Sequence, residues 1–89
     1  MTHVSPTLTA ARPDENEARR QNAHAKVDGL TPRQREILIQ MADGKLNKQI
    51  AWDLGLSERT VKMHRAAMFK ALDVRASAEA IRIAIEAGF

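Results

Sequence analysis

The sequence predicts an all-α fold: a compact bundle of four helices preceded by a flexible N-terminal segment. Apolar residues recur at three- and four-residue spacing in four stretches after Leu30. Residues suited to start and stop helices bracket each stretch, and nowhere do apolar and polar residues alternate as a half-buried strand requires. At 89 residues there is room for one small domain.

Residues 1–13 mix Thr, Ser, Ala and two prolines with few large apolar groups, the composition of a disordered leader. Residues 14–27 have Asp14 to cap a helix and acids for its first turn, but Val27 is almost their only core-forming side chain. The expectation is a leader or linker over residues 1–28, part helical and frayed at 14–27, with the folded domain spanning residues 29–89.

The first predicted helix of that domain has Thr31 as cap, Pro32 at the first helical position and Gln34 to close a capping box. Leu30 is placed to staple against Ile37 or its neighbours. Ile37, Leu38 and Met41 form the buried stripe, and Gly44 ends the helix. The second starts at Asn47, buries Ile50, Ala51 and Leu54, and stops at Gly55, where glycine enters the left-handed conformation cheaply. Ser57 then caps a third helix running from Glu58 to about Leu72. The Gly55-Leu56-Ser57 link, with Leu56 pointing inward, is the tight corner of a helix-turn-helix. A fourth helix runs from about Ser77 to Ala87, with Gly88 behind it.

On a helical wheel, Val61, Met68 and Leu72 of the third helix share a narrow inward arc, flanked by His64 on one side and by Arg65 and Phe69 on the other. The opposite arc collects Arg59, Met63, Ala66 and Lys70, with Lys62 at its edge. Three cations around a small Ala66 suit the floor of a DNA major groove, because no bulky side chain holds the backbone away from the base edges. Asn47 and Lys48, and Ser57 and Thr60, place polar groups at two helix N-termini, which is where phosphates are held.

Charge points the same way. The net charge of +3 lies wholly in residues 30–89, since residues 1–29 balance Arg12, Arg19, Arg20 and Lys26 against Asp14, Glu15, Glu17 and Asp28. A compact basic domain attracts a polyanion. The chain has no cysteine, so no disulfide framework or thiolate metal site is expected, and a reducing compartment fits. No apolar run approaches the ~20 residues a membrane helix needs. The expected location is the cytoplasm, with no membrane partner.

Several blocks, in order, resemble one family: Leu30-Thr31-Pro32-Arg33-Gln34-Arg35-Glu36-Ile37-Leu38, Asn47-Lys48-Gln49-Ile50-Ala51, Leu54-Gly55-Leu56-Ser57 and Thr60-Val61-Lys62-Met63-His64. Together they are similar to the LuxR/GerE-type DNA-binding domain of response regulators and quorum-sensing regulators, over residues 30–89. The resemblance implies a third helix in the major groove and regulation of transcription. Lys62, Met63 and Ala66 then stand at base-reading positions. Asn47, Lys48, Ser57, Arg59, Thr60, His64, Arg65 and Lys70 stand at backbone-contacting ones, His64 with a packing role as well. The chain departs from the family pattern at Leu46, at Gln49 in place of the usual Glu, at Ala71, and at Ala76 and Ser77 in place of a polar-Arg pair.

The fourth helix carries more apolar surface than one core needs. Ile81, Ala84 and Ile85, with Ala78 beside them, are expected to face the core. Ala80, Ile83 and Ala87 form a second stripe, expected with the family resemblance to pair two copies as a weak homodimer on half-sites about one helical turn apart.

No constellation for catalysis is present: there is no glycine-rich phosphate loop, paired buried acids or nucleophile motif, and His3, His24 and His64 lack metal-ligand spacing. A non-enzyme without cofactor, metal or small-molecule ligand is expected. The competing expectation is a helix-turn-helix interaction module that binds RNA polymerase or another regulator instead of reading DNA itself; RNA polymerase is also a candidate partner for a DNA-bound form.

Overall fold

A computed structural model of the chain describes residues 13–89, and the expected leader at residues 1–12 lies outside them. The described residues form helices only: α1 (Pro13–Asp28), α2 (Pro32–Ala42), α3 (Asn47–Leu54), α4 (Glu58–Leu72) and α5 (Ser77–Glu86). The four predicted helices are α2 to α5, and α1 is a fifth member of the bundle.

Local chemistry fixes each boundary. At α2, Thr31 Oγ1 accepts from the Gln34 N–H and Gln34 Oε1 accepts from the Thr31 N–H, each at 3.1 Å, with Pro32 opening the helix. These bonds satisfy two of the N–H groups that a helix start leaves unpaired. At α3 the cap is Leu46, and Asn47 is the first helical residue. Leucine offers no acceptor, and Gln49 Oε1 takes the Leu46 N–H at 2.9 Å. At α5 the cap is Ala76, and Glu79 Oε1 accepts from both the Arg75 and Ala76 N–H groups at 3.1 Å.

The corner between α3 and α4 forms as the sequence requires. Gly55 turns left-handed at φ +68°, and the Leu56 N–H reaches back to the Ala51 carbonyl at 2.8 Å. Leu56 is half-buried against the core. Ser57 Oγ then accepts from the Thr60 N–H at 3.1 Å and starts α4. The far end of α4 closes in the same way, but with Asp73 in the left-handed position at φ 58°.

One core runs through the bundle. Ile37, Leu38 and Met41 meet Ile50 and Ala51, then Val61, Met68 and Leu72, all buried. The packed pairs include α2 with α5, α3 with α4, and α2 with α4. Each large side chain removed from water contributes about 1.5–3 kcal/mol.

The N-terminal helix departs from expectation. Instead of fraying, α1 packs along α5 and touches α4. Ala23 and Val27 are buried, and with Leu30 they make an i, i+4, i+7 stripe that is small but continuous. Arg35 Nη2 donates to the Val27 carbonyl at 3.3 Å, tying the end of α1 to α2.

That packing corrects the reading of the last helix. Ala80, Ile83 and Ala87 are buried within the chain, together with Ala84, whereas Ile85 is 62% exposed, Ile81 is half-buried and Ala78 is exposed. Ala80, Ile83, Ala84 and Ala87 are one stripe at i, i+3, i+4, i+7, facing α1 on one side and the core on the other. The surplus that suggested pairing with a second copy is taken up by a helix of the same chain.

Candidate nucleic-acid interface

The outward face of α4 matches the wheel. Val61, Met68 and Leu72 are buried, while Arg59, Lys62, Met63, Ala66 and Lys70 are exposed and His64 is half-buried. Met63, 64% exposed, is a large apolar side chain held in solvent beside Lys62. Ala66 lies one turn further along with exposed Ala67 after it, so the middle of the face is low and its ends are cationic. A convex strip of this kind admits close approach by base edges, with side chains for phosphates at either end.

The start of α4 is exposed alongside it. Ser57 Oγ, besides accepting from the Thr60 backbone, donates to Thr60 Oγ1 at 2.9 Å. The Ser57 hydroxyl is therefore committed to the cap, and a phosphate meeting this end finds the Thr60 O–H, the remaining N–H groups and the exposed Arg59. Lys48 is exposed at the start of α3. Its neighbour Lys45 is engaged: its Nζ lies 2.9 Å from Asp53 Oδ2, and that carboxylate holds the lysine above its ordinary pKa.

Two expected backbone contacts are joined to each other. Arg65 turns inward, donating one guanidinium nitrogen to Asn47 Oδ1 and another to Ser77 Oγ, with its head 5.7 Å from the Phe69 ring centre. Asn47 is thus not the cap of α3; its Oδ1 is taken by Arg65, which leaves its amide N–H groups as the donors for a phosphate, and Arg65 ties the starts of α3 and α5 to the middle of α4. Arg65 already flanks the inward arc on the wheel; Ser77, 12 residues on at the start of the next helix, stood out only as a departure from the family pattern.

Sequence reasoning also passed over Trp52. It projects from α3 with 87% of its surface exposed, and it borders an open groove with Lys48, Gln49, Leu56 and Glu58. Among the described residues no three His, Asp or Glu side chains cluster as metal ligands do, and no helix is long and apolar enough to cross a membrane.

Residues 28–84 match the family model of bacterial regulatory proteins, luxR family. The chain is 34% identical over 86 residues to the transcriptional regulatory protein FixJ of Rhizobium meliloti, covering 97% of this chain and 41% of FixJ. It is 38% identical over 77 residues to the nitrate/nitrite response regulator protein NarL of Escherichia coli K12, covering 86% of this chain and 36% of NarL. Full-length FixJ from B. japonicum superposes with a TM-score of 0.77 at 31% identity, over 94% of this chain and 41% of that one. So extensive a match cannot leave out the 16 residues of α1. The chain spans about two fifths of the length of these FixJ relatives.

Proposed function

The chain belongs to the luxR family of bacterial regulatory proteins, and from that premise we propose that it binds double-stranded DNA and regulates transcription, with α4 lying in the major groove. The observation that carries this reading is the outward face of α4, where exposed Lys62, Met63 and Ala66 sit between the cations Arg59 and Lys70. Lys62, Met63 and Ala66 read base edges. Lys48, Arg59, His64, Lys70 and the capped start of α4 at Ser57 and Thr60 hold phosphates on either side. The work is recognition without turnover, carried out in the cytoplasm where the chromosome lies.

Two domains on half-sites about one helical turn apart would double these contacts. The surface that joins them is not Ala80, Ile83 and Ala87 while α1 covers those residues.

A second reading has one observation in its favour. The exposed Trp52 lies on α3, and a protruding aromatic flanked by Lys48 and Glu58 suits a protein partner such as RNA polymerase. Binding to a short duplex of random sequence, titrated at several salt concentrations, separates the two. Phosphate contacts make log K fall steeply with log salt, and most protein contacts do not.

A further inference from the structure

We propose that Arg65 is a positioning residue for duplex recognition, not a phosphate contact: its guanidinium fixes the angle at which α4 presents Lys62, Met63 and Ala66. The inference deepens the DNA-binding reading and rests on it.

The geometry is a three-way tie. Arg65 leaves α4 one residue before Ala66 and reaches Asn47 Oδ1 at the first turn of α3 and Ser77 Oγ at the first turn of α5. Both acceptors are neutral, and Arg65 makes no ion pair with a carboxylate among the described residues. Helix N-termini are positive ends that disfavour a cation. A guanidinium nonetheless fits, because its planar fork donates to two acceptors in different directions at once, which an ammonium on a flexible stem does less well. The ring of Phe69, one turn along α4, lies under the same head and limits its freedom.

The consequence for recognition is geometric. The corner at Gly55 and the packing of Ile50 and Ala51 with Val61 hold α3 against α4 through the core. Arg65 adds a directional polar restraint from the middle of the reading helix. It also references α4 to α5, whose start is otherwise joined to α4 by the short segment after Leu72. Base contacts carry the sequence information and depend on side chains held to within about 0.5 Å, whereas phosphate contacts carry none of it.

The test compares wild type with Arg65→Met, which keeps the packing over Phe69 and removes the fork. Two probes are used: a duplex recovered by in-vitro selection with the wild-type chain, and a pool of random duplex of equal length. Wild type failing to bind either one salt-dependently overturns the DNA-binding reading itself. With wild-type binding in hand, Arg65→Met is expected to weaken the selected duplex about tenfold or more and the random pool less than about threefold, with the salt slope on the pool unchanged. Arg65→Lys, keeping charge but reaching one acceptor, is expected to fall between. Equal losses on both probes with a slope reduced by about 0.9 would mean that Arg65 touches a phosphate directly. Unchanged selectivity despite a lower melting temperature would mean a structural tie only, and either result overturns the proposal. If Arg65→Met does not fold, Asn47→Ala and Ser77→Ala remove the acceptors singly: each is expected to lower selectivity, and no change in either overturns it as well.

Discussion

Arg35 Nη2 donates to the backbone carbonyl of Val27 at 3.3 Å, so the last turn of α1 is held by a cation from α2 as well as by its own buried face. A positive group at a helix C-terminus is favourable, and here it fastens a helix whose apolar contribution is slight. Val27, only 2% exposed, is the larger of its two buried side chains. Val27→Asp is expected to cost about 3 kcal/mol, since it places a charge where no partner waits. Undocking α1 would also bare Ala80, Ile83 and Ala87. Thermal melting with sedimentation equilibrium checks both parts: a lower melting temperature with stronger self-association is expected, and an unchanged melt would mean that α1 does not pack as described.

The two left-handed helix ends make opposite predictions. Gly55, at φ +68°, has no atom within 4 Å of where a Cβ would stand, so Gly55→Ala meets a conformational cost and no clash. A loss of about 1 kcal/mol is expected. Asp73 occupies the same conformation at φ 58°, with a carboxylate near the negative end of α4. Asp73→Gly should therefore stabilise the chain by about 1 kcal/mol. Denaturant unfolding reads both changes, and signs opposite to these would contradict the origin given for each.

Charge on α4 separates base reading from phosphate contact. Lys62→Ala is expected to lower affinity for a selected duplex by about 1–3 kcal/mol while affecting random sequence much less. Lys70→Ala is expected to weaken both nearly equally and to lower the salt slope by about one. Titrations at several salt concentrations distinguish them, and identical behaviour of the two variants would remove the division of roles along the helix.

How much of this was legible in the sequence depended on the size of the signal. Capping residues and buried triplets placed α2, α3 and α4 almost to the residue, because Thr31, Gly55 and Ser57 act locally and Ile37, Val61 and Leu72 leave little choice of face. The fate of α1 was not legible: its stripe is Ala23, Val27 and Leu30, and an alanine reads equally well as buried or exposed. Taking α1 as frayed then split the buried face of α5 into two stripes and put Ile85 inside and Ile83 outside. Leu46 carries no cap oxygen, and the acceptor came instead from Gln49, three residues on. The inward turn of Arg65 depends on Ser77, which lies in another helix and could be recognised only once the helices were placed together.

Whether the outward face of α4 reads DNA is decided by an equilibrium binding titration of wild type and Ala66→Glu against the same selected duplex at fixed salt, with circular dichroism as a check on folding. Ala66 is exposed at the centre of that face, so a glutamate there leaves the core intact while setting a larger side chain and a negative charge against the groove. We expect unchanged helix content and a loss of at least about a hundredfold in affinity. Wild-type affinity in the folded Ala66→Glu variant would contradict the placement of α4 in the major groove.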